Sequence, residues 1–529
     1  MKKDIPGTLK RADRFPVILI GEGVLVGIAA GIVVLFYRTA LEYAGKWLNM
    51  ILEFAGQSPL YIAGWFAILA VMAVAVSGLV KYESMISGSG IPQLKGEMIG
   101  KINQNWYKII PAKFAGGFLC MLGGLALGRE GPSIQIGAMA GKGISKWLDR
   151  GKTEEKFLLT CGASAGLAAA FHAPLAGVLF SMEEIHKNFS AAVLLSVTTA
   201  SLTADCLCTA VLGEASVFQF DIIKELPISY YWMIVLLGAL LGVLGAFYNW
   251  FTLKIQSLYD KIGFLGTTGK IMIPFLCAGV LGFTAPELLG SGHSLIEYLT
   301  CTDVALGTVV FILAGRFVFS AVSFGSGAPG GIFFPLLVLG GFIGGVFATA
   351  GVEYFGLDSM YINNFVLLAM AGYFSAIVRA PLTGIVLIFE MTGNLNHMLS
   401  LSIVSIVAYI VASLMKSKPI YESLLDRLLA KQAESGERGA VNRGYEQQNN
   451  VREKILANFV IGHGSRPDGR CIGEVEWPDN CLLVSVQRGE NELIPKGKTK
   501  LQAGDVIVIM MDERDTAYVH EKMGMLCRM

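Results

Sequence analysis

The sequence predicts an all-α polytopic membrane protein that ends in a small α+β domain. Three observations carry that reading. The 529 residues are 53% hydrophobic with a mean hydropathy of +0.57, more than a soluble chain of this length carries. Apolar runs long enough to cross a bilayer recur between Phe15 and Met415, interrupted by Gly and Pro. Charge is sparse through that region and dense from Lys416 onward.

The first apolar run, Pro16–Tyr37, follows the basic segment MKKDIPGTLKRADR and shows no cleavable leader pattern. Further runs lie at Tyr61–Val80, Ile109–Leu127, Lys156–Met182, Ala191–Val211, Tyr231–Phe251, Ile271–Phe283, Val304–Val322, Ile332–Val352, Asn363–Phe389 and Ser400–Met415. A span takes about 20 residues, so some of these are too short for one crossing and others too long. Broken helices at membrane depth are tolerated only against protein or a water-filled cavity. The pattern therefore points to a transport pathway. Basic residues before the first run, and Lys416 and Lys418 after the last, put both ends in the cytoplasm and call for an even number of full crossings. The expected location is the plasma (inner) membrane, multi-pass. The net charge of +1 argues against a nucleic-acid partner. The nine cysteines show neither metal-ligand spacing nor a disulfide framework and are expected as buried free thiols.

These features divide the chain into a cytoplasmic segment 1–15, a membrane domain 16–430, a linker 431–450 and a small domain 451–529. YESLLDRLLAKQAE can form an amphipathic helix, and SGERGAVNRGYEQQNN (Ser435–Asn450) is polar and Gly-bearing, as linkers are. In the small domain NFVIG, CLLVSVQR and DVIVIMM read as strands, separated by the turn stretches RPDG, RGEN and PKGK.

The membrane domain contains a repeat. APLAGVLFSME (Ala173–Glu183) and APLTGIVLIFE (Ala380–Glu390) share A-P-L-x-G and a glutamate at the same offset. Upstream, GPSIQIG (Gly131–Gly137) and FPLLVLG (Phe334–Gly340) share a Pro with a Gly five residues on. Two halves of roughly 200 residues with interrupted helices at matching places suit a duplicated transporter with its site at the repeat interface.

Four stretches bring small residues and polar atoms to helix starts: SGSGIPQLKG (Ser87–Gly96), GREGPSIQIG (Gly128–Gly137), GSGAPGGIFFP (Gly325–Pro335) and KPIYESLL (Lys418–Leu425). In the first three, Gly permits close backbone approach and Pro presets the first helical turn. A helix N-terminus offers unpaired N–H groups and partial positive charge. Several of them converging would hold an anion without a full charge that binds too tightly for turnover. Taken singly, each stretch reads equally as a helix-packing turn.

With these residues in view, the chain resembles the CLC chloride channels and transporters. The family's three loops stand here in order as GSGIP (Gly88–Pro92), GREGP (Gly128–Pro132) and GGIFFP (Gly330–Pro335), within a likeness over about residues 15–430. The resemblance implies the CLC fold, an inverted repeat of discontinuous helices, and a homodimer with one chloride pathway per subunit. It implies that Ser89, with Gly90 beside it, and Tyr421 bind the central anion, and that the amides of Ile332 and Phe333 line the path. It makes Glu130 the gating glutamate and Glu184 the proton-transfer glutamate of a chloride/proton antiporter. A passive voltage-gated channel is the alternative, and Glu184 favours exchange. Transported chloride and protons are then the small partners, with the lipid membrane around them, and no enzymatic activity, metal or cofactor is implied. Ser89 is not the proline associated with nitrate preference, and Arg129 is not the asparagine of fluoride members. Arg129 reads as structural.

Two other classes can be weighed. GASAG (Gly162–Gly166) fits G-x-S-x-G, with Ser164 as nucleophile and His172 nearby, the pattern of a serine hydrolase. But CGASAGLAAAFHAP is a run of small residues, as close helix packing requires, and no acid is positioned by sequence. A potassium channel would need a TVGYG filter, which is absent. The tail, through Arg488, Pro495, Leu501, Gly504 and Asp505, resembles the TrkA-C (RCK_C) subdomain of regulators of potassium conductance. That likeness implies a ligand-sensing pair of tails, with cyclic di-AMP or another nucleotide as the candidate ligand.

Overall fold

The computed structural model describes residues 15–187, 191–213, 226–262, 265–301, 306–393, 397–438, 454–478, 481–488, 491–512 and 516–527. They fall into two units, Met1–Gln432 and Ala433–Met529. The expected N-terminal segment before Phe15 and the linker beyond Arg438 lie outside the described residues.

The first unit is helical. Its first half holds α1 (Phe15–Ala55), α2 (Pro59–Tyr82), α3 (Ile91–Met98), α4 (Trp106–Leu122), α5 (Glu130–Trp147), α6 (Lys152–Phe171), α7 (Pro174–Phe180) and α8 (Ala191–Leu212). Its second half holds α9 (Tyr231–Lys261), α10 (Thr267–Thr284), α11 (His293–Cys301), α12 (Leu306–Gly325), α13 (Phe333–Phe355), α14 (Ile362–Val378), α15 (Pro381–Thr392), α16 (Met398–Leu414) and α17 (Ile420–Arg438). Among the described residues, eight helices are long and apolar enough to cross a membrane. Their outward faces remain apolar, with Phe36, Val71, Trp250 and Phe311 exposed, as a lipid solvent allows.

Three apolar runs differ most from their expected form. The run begun at Pro16 does not end at Tyr37: α1 continues through Arg38, Glu42 and Lys46 to Ala55, about 60 Å of helix. Lys156–Met182 and Asn363–Phe389 each break in two. The breaks are equivalent in the repeat. His172 (φ 51°) and Arg379 (φ 71°) take the left-handed conformation that ends α6 and α14. Ala173 and Ala380 are then held out of the helical region by the prolines that follow them, and Pro174 and Pro381 open α7 and α15.

The halves also cap each other. Glu390, at the end of α15, accepts Leu175 N–H at 2.9 Å and Ala176 N–H at 2.7 Å from the start of α7. Glu183, just past α7, accepts Thr383 N–H at 2.9 Å and Thr383 Oγ1–H at 2.8 Å from the start of α15. Each carboxylate meets the positive end of the other half's helix, a reciprocal exchange that a two-fold relation between repeats requires.

Close packing explains the small residues. Gly23, Gly27 and Gly31 of α1 meet Ser196, Ala200 and Ala204 of α8. Gly162 and Gly166 press α6 against the backbone of α5 at Gly137 and Ser133. Cys120, Cys161, Cys208 and Cys527 are buried free thiols, whereas Cys206 and Cys277 are exposed on helix surfaces, against expectation.

In the second unit β1 (Lys454–Val460), β2 (Cys481–Arg488), β3 (Asn491–Leu493) and β4 (Val506–Asp512) form an antiparallel sheet in the order β1-β4-β2-β3. A register shift between Leu483 and Ser485 interrupts the β2–β4 ladder. A last helix, α18 (Thr516–Cys527), covers the sheet through Val519, Met523 and Cys527. β3 lies within the stretch RGENELIPKGKTKLQAGD, which reads as a hairpin, and α18 supplies the helix of the expected α+β domain.

Candidate functional site

The three glycine loops are tied to one another by backbone. Gly128 N–H donates to Gly331 O at 2.7 Å and Gly331 N–H returns to Gly128 O at 2.8 Å. Gly330 N–H donates to Gly88 O at 3.0 Å, and Ser87 Oγ–H donates to Gly327 O at 2.9 Å. This stitching brings together the N-termini of α3, α5 and α13, whose first-turn N–H groups have no partner within their helices.

Glycine is obligatory here for space. A methyl group on Gly131 would strike Ser89 Oγ, and one on Gly128 would lie 2.5 Å from Glu130 Oε2. Gly90, at φ 93°, is the N-cap of α3. Ile332 is the N-cap of α13 and Phe333 its first residue, both fully buried. The Phe333 ring packs against Phe171, Phe180 and Phe374 at 5.5, 5.6 and 4.6 Å between centroids, which excludes water from that side.

Three side chains at this junction, Ser89, Glu130 and Tyr421, keep a buried polar atom without a protein partner. Ser89 Oγ and Tyr421 OH face one another, are buried, and complete no hydrogen bond. Tyr421 sits in the first turn of α17. Glu130 is buried at the start of α5; its carboxyl lies against the amides of Glu130, Arg129 and Phe334, and its Oε2 is unpaired. Arg129 does not neutralise it closely: Nε is 3.8 Å from Glu130 Oε1, while Nη1 donates to Glu42 Oε1 at 3.1 Å. An unpaired buried donor or acceptor costs about 1–3 kcal/mol. Hydroxyl donors and free helix amides at one spot suit an acceptor of hydrogen bonds that carries negative charge. A cleft of about 240 Å³ opens onto Ser89 and Gln93, with Lys270, Arg427 and Lys431 on its wall.

Glu184 stands apart from this junction. It lies in a π-helical turn, Ser181–His186, and is buried against Lys95 Nζ at 2.7 Å. Sequence reading did not single out Lys95, although it lies inside the first glycine stretch. It also passed over Lys113, the second of two lysines in the otherwise apolar α4. Lys113 is fully buried and donates to Ile86 O at 2.7 Å and Gly88 O at 2.6 Å, bracing the loop that carries Ser89.

The hydrolase pattern is not assembled. An acid does stand beside His172, since its Nδ1 lies 3.3 Å from Asp205 Oδ1, contrary to the reading from sequence. Ser164 Oγ, however, is buried with no hydrogen-bond partner, so nucleophile and base are not linked. In the second unit Arg488 grips the buried Asp505 through Nε and Nη2, both at 2.8 Å, and also donates to Lys500 O. Those hydrogen bonds hold the Asp505 carboxyl below the usual carboxylate range.

Known proteins share this architecture. A voltage-gated chloride channel family model matches residues 71–413 and a TrkA-C domain model matches residues 456–524. A slow cyanobacterial Cl-/H+ antiporter is 30% identical, with 78% of this chain and 99% of that one covered at a TM-score of 0.75. A CLC-type fluoride/proton antiporter, 22% identical, has 77% of this chain and 97% of its own covered at 0.63. A eukaryotic CLC transporter, also 22% identical, has 79% and 74% covered at 0.63. The last two show the fold alone. The stitched glycine loops, the reciprocally capped repeat and these matches lead to one conclusion: the chain belongs to the CLC family of voltage-gated chloride channels and transporters, and it carries a TrkA-C domain after its membrane unit.

Proposed function

We propose that this protein exchanges chloride for protons across the membrane. The observation that carries the proposal is the Glu130 carboxylate, buried with an unpaired oxygen at the start of α5, where α5 is stitched to α13. A carboxylate held among free amides occupies the place of a transported anion. When it takes a proton it loses that attraction and can leave, and an anion replaces it. One side chain then answers to both ions. Ser89 and Tyr421 donate hydroxyls to chloride at the central position, each worth about 1.5–3 kcal/mol to a charged acceptor. The amides of Gly90, Ile332 and Phe333 add partial charge without gripping the ion too tightly to release.

A passive channel is the competing reading. Glu184, a second buried carboxylate away from the anion junction, favours exchange because it gives protons a separate relay. The cyanobacterial antiporter at 30% identity supports the same choice. The reading includes a homodimer in the inner membrane with cytoplasmic ends, and a tail whose TrkA-C fold senses cyclic di-AMP or a related nucleotide.

Proteoliposomes under a chloride gradient, with chloride and pH recorded together, test it. Protons should move uphill in the wild type. Glu130→Ala should retain chloride flux and lose proton movement. Proton pumping that survives Glu130→Ala removes the gate assignment, and chloride flux without protons in the wild type makes the protein a channel. Flux indifferent to cyclic di-AMP, with no binding of it, removes that ligand.

A further inference from the structure

Four charged side chains form one cluster that joins α3, the turn carrying Glu184 and the start of α17. Lys95 Nζ lies 2.7 Å from Glu184 Oε1 and 4.0 Å from Glu422 Oε1. Lys187 Nζ lies 2.5 Å from the same Glu422 oxygen. The Lys95 and Glu184 side chains are 7% and 5% exposed, so their pairing is poorly screened. Lys95 is on α3, whose N-terminus presents Ser89 and Gly90. Glu422 follows Tyr421 in the first turn of α17. Through Lys95 on α3, whose start follows Ser89, Glu184 therefore shares its cation with Glu422, the neighbour of Tyr421.

The remaining ionisable groups around Glu184 are committed elsewhere. Glu183 accepts the amides and hydroxyl at the start of α15. His186 Nδ1 is 3.2 Å from Thr160 Oγ1. Lys187, within the cluster, is turned to Glu422, and Lys418, which also faces Glu422, lies 3.6 Å from Asp426 Oδ2. With Glu184 charged, two ammoniums balance two carboxylates. With Glu184 neutral, the cluster holds one uncompensated positive charge, and the carboxylate nearest Lys95 is then Glu422.

We propose that Lys95 is a positioning residue shared by the proton and anion sites: it anchors charged Glu184, and when Glu184 takes a proton it turns to Glu422 beside Tyr421, so that proton uptake and anion occupancy between Ser89 and Tyr421 favour each other. The inference rests on the antiport reading and adds to it a direct link between the two sites. By linkage, whatever the proton does for anion affinity, the anion does for proton affinity.

Chloride affinity measured by calorimetry across pH tests the link, in a Glu130→Ala background so that the gate's own titration does not contribute. Affinity should rise roughly fivefold or more from mildly alkaline to mildly acidic pH, the low end of coupling between two sites. Lys95→Met should flatten the profile, and Lys95→Arg should retain it. Glu184→Gln should give a flat profile at the acid-side affinity. Glu422→Gln, which leaves Lys95–Glu184 intact, should shrink the rise, and it provides a test should Lys95→Met fail to fold. A full rise in Lys95→Met or in Glu422→Gln overturns the proposal. Proton flux in the wild type, measured separately, tells its failure from failure of antiport: flux present with a full rise in Lys95→Met removes only the role of Lys95, and flux absent removes both.

Discussion

Gly128 and Gly331 exchange both of their backbone hydrogen bonds, at 2.7 and 2.8 Å, across a short antiparallel bridge. Each precedes a helix start, Glu130 on one side and Phe333 on the other. The bridge sets the two half-molecules in register at the point where their helix N-termini must converge. A side chain crowds the contact at either residue: a methyl on Gly128 would lie 2.5 Å from Glu130 Oε2 and 2.9 Å from Pro335 Cδ, and one on Gly331 would lie 3.1 Å from Gly131 N, tight enough that its neighbour must give. The candidate site is thus built from backbone first, and the few side chains in it are placed by that backbone.

Glu184→Ala should stop proton movement while chloride still crosses, because Glu184 contacts Lys95 and not the Ser89–Tyr421 junction. The measurement is the reversal potential under a pH gradient. A mutant whose potential still follows the proton gradient as the wild type does would take Glu184 out of the relay.

Tyr421→Ala should weaken central chloride binding by about 1.5–3 kcal/mol, the worth of one hydroxyl donor to a charged acceptor, and loosen proton coupling. Tyr421→Ala also removes a fully buried ring, so Tyr421→Phe, which deletes only a hydroxyl that bonds to nothing in the protein, should show the same loss of affinity without the cavity. Calorimetry showing unchanged chloride affinity would exclude Tyr421 from the site.

Gly131→Ala should displace Ser89, whose Oγ and carbonyl lie where the new methyl must go. Overpacking of this kind costs about 1–3 kcal/mol. Thermal unfolding should fall and chloride affinity should fall with it. An alanine variant with wild-type melting and affinity would show that the α5–Ser89 contact is looser than described.

The pH dependence of the tail follows from Asp505. Arg488 lowers its folded pKa below the unfolded value of about 3.9, so the pair's stabilisation is present above that pH and disappears as pH falls through the folded value. Hydrogen exchange in the full-length chain should therefore show β2 and β4 protected at neutral pH and opening in acid. Arg488→Ala leaves Asp505 buried with Gln502 N–H as its remaining partner, and should cost the sheet about 1–3 kcal/mol at neutral pH. Unchanged protection in that variant would rule out a stabilising role for the pair.

The class of the molecule was legible in the sequence, because hydropathy, glycine-proline helix starts and a repeated A-P-L-x-G frame are local and need no partner to be recognised. CLLVSVQR was legible as β2 for the same reason: its run of β-formers ends at turn residues. Features that rest on contacts between distant segments became visible only in the folded chain. The breaks after His172 and Arg379 were hidden inside continuous apolar runs, since hydropathy does not register a left-handed residue before Ala-Pro. The crossed caps from Glu183 and Glu390 join residues of opposite halves. Lys95 and Lys113 look, in sequence, like stray charges in an apolar setting. Only the fold supplies what makes them tolerable, a carboxylate for one and two loop carbonyls for the other, because a buried charge is set by partners that chain order does not reveal.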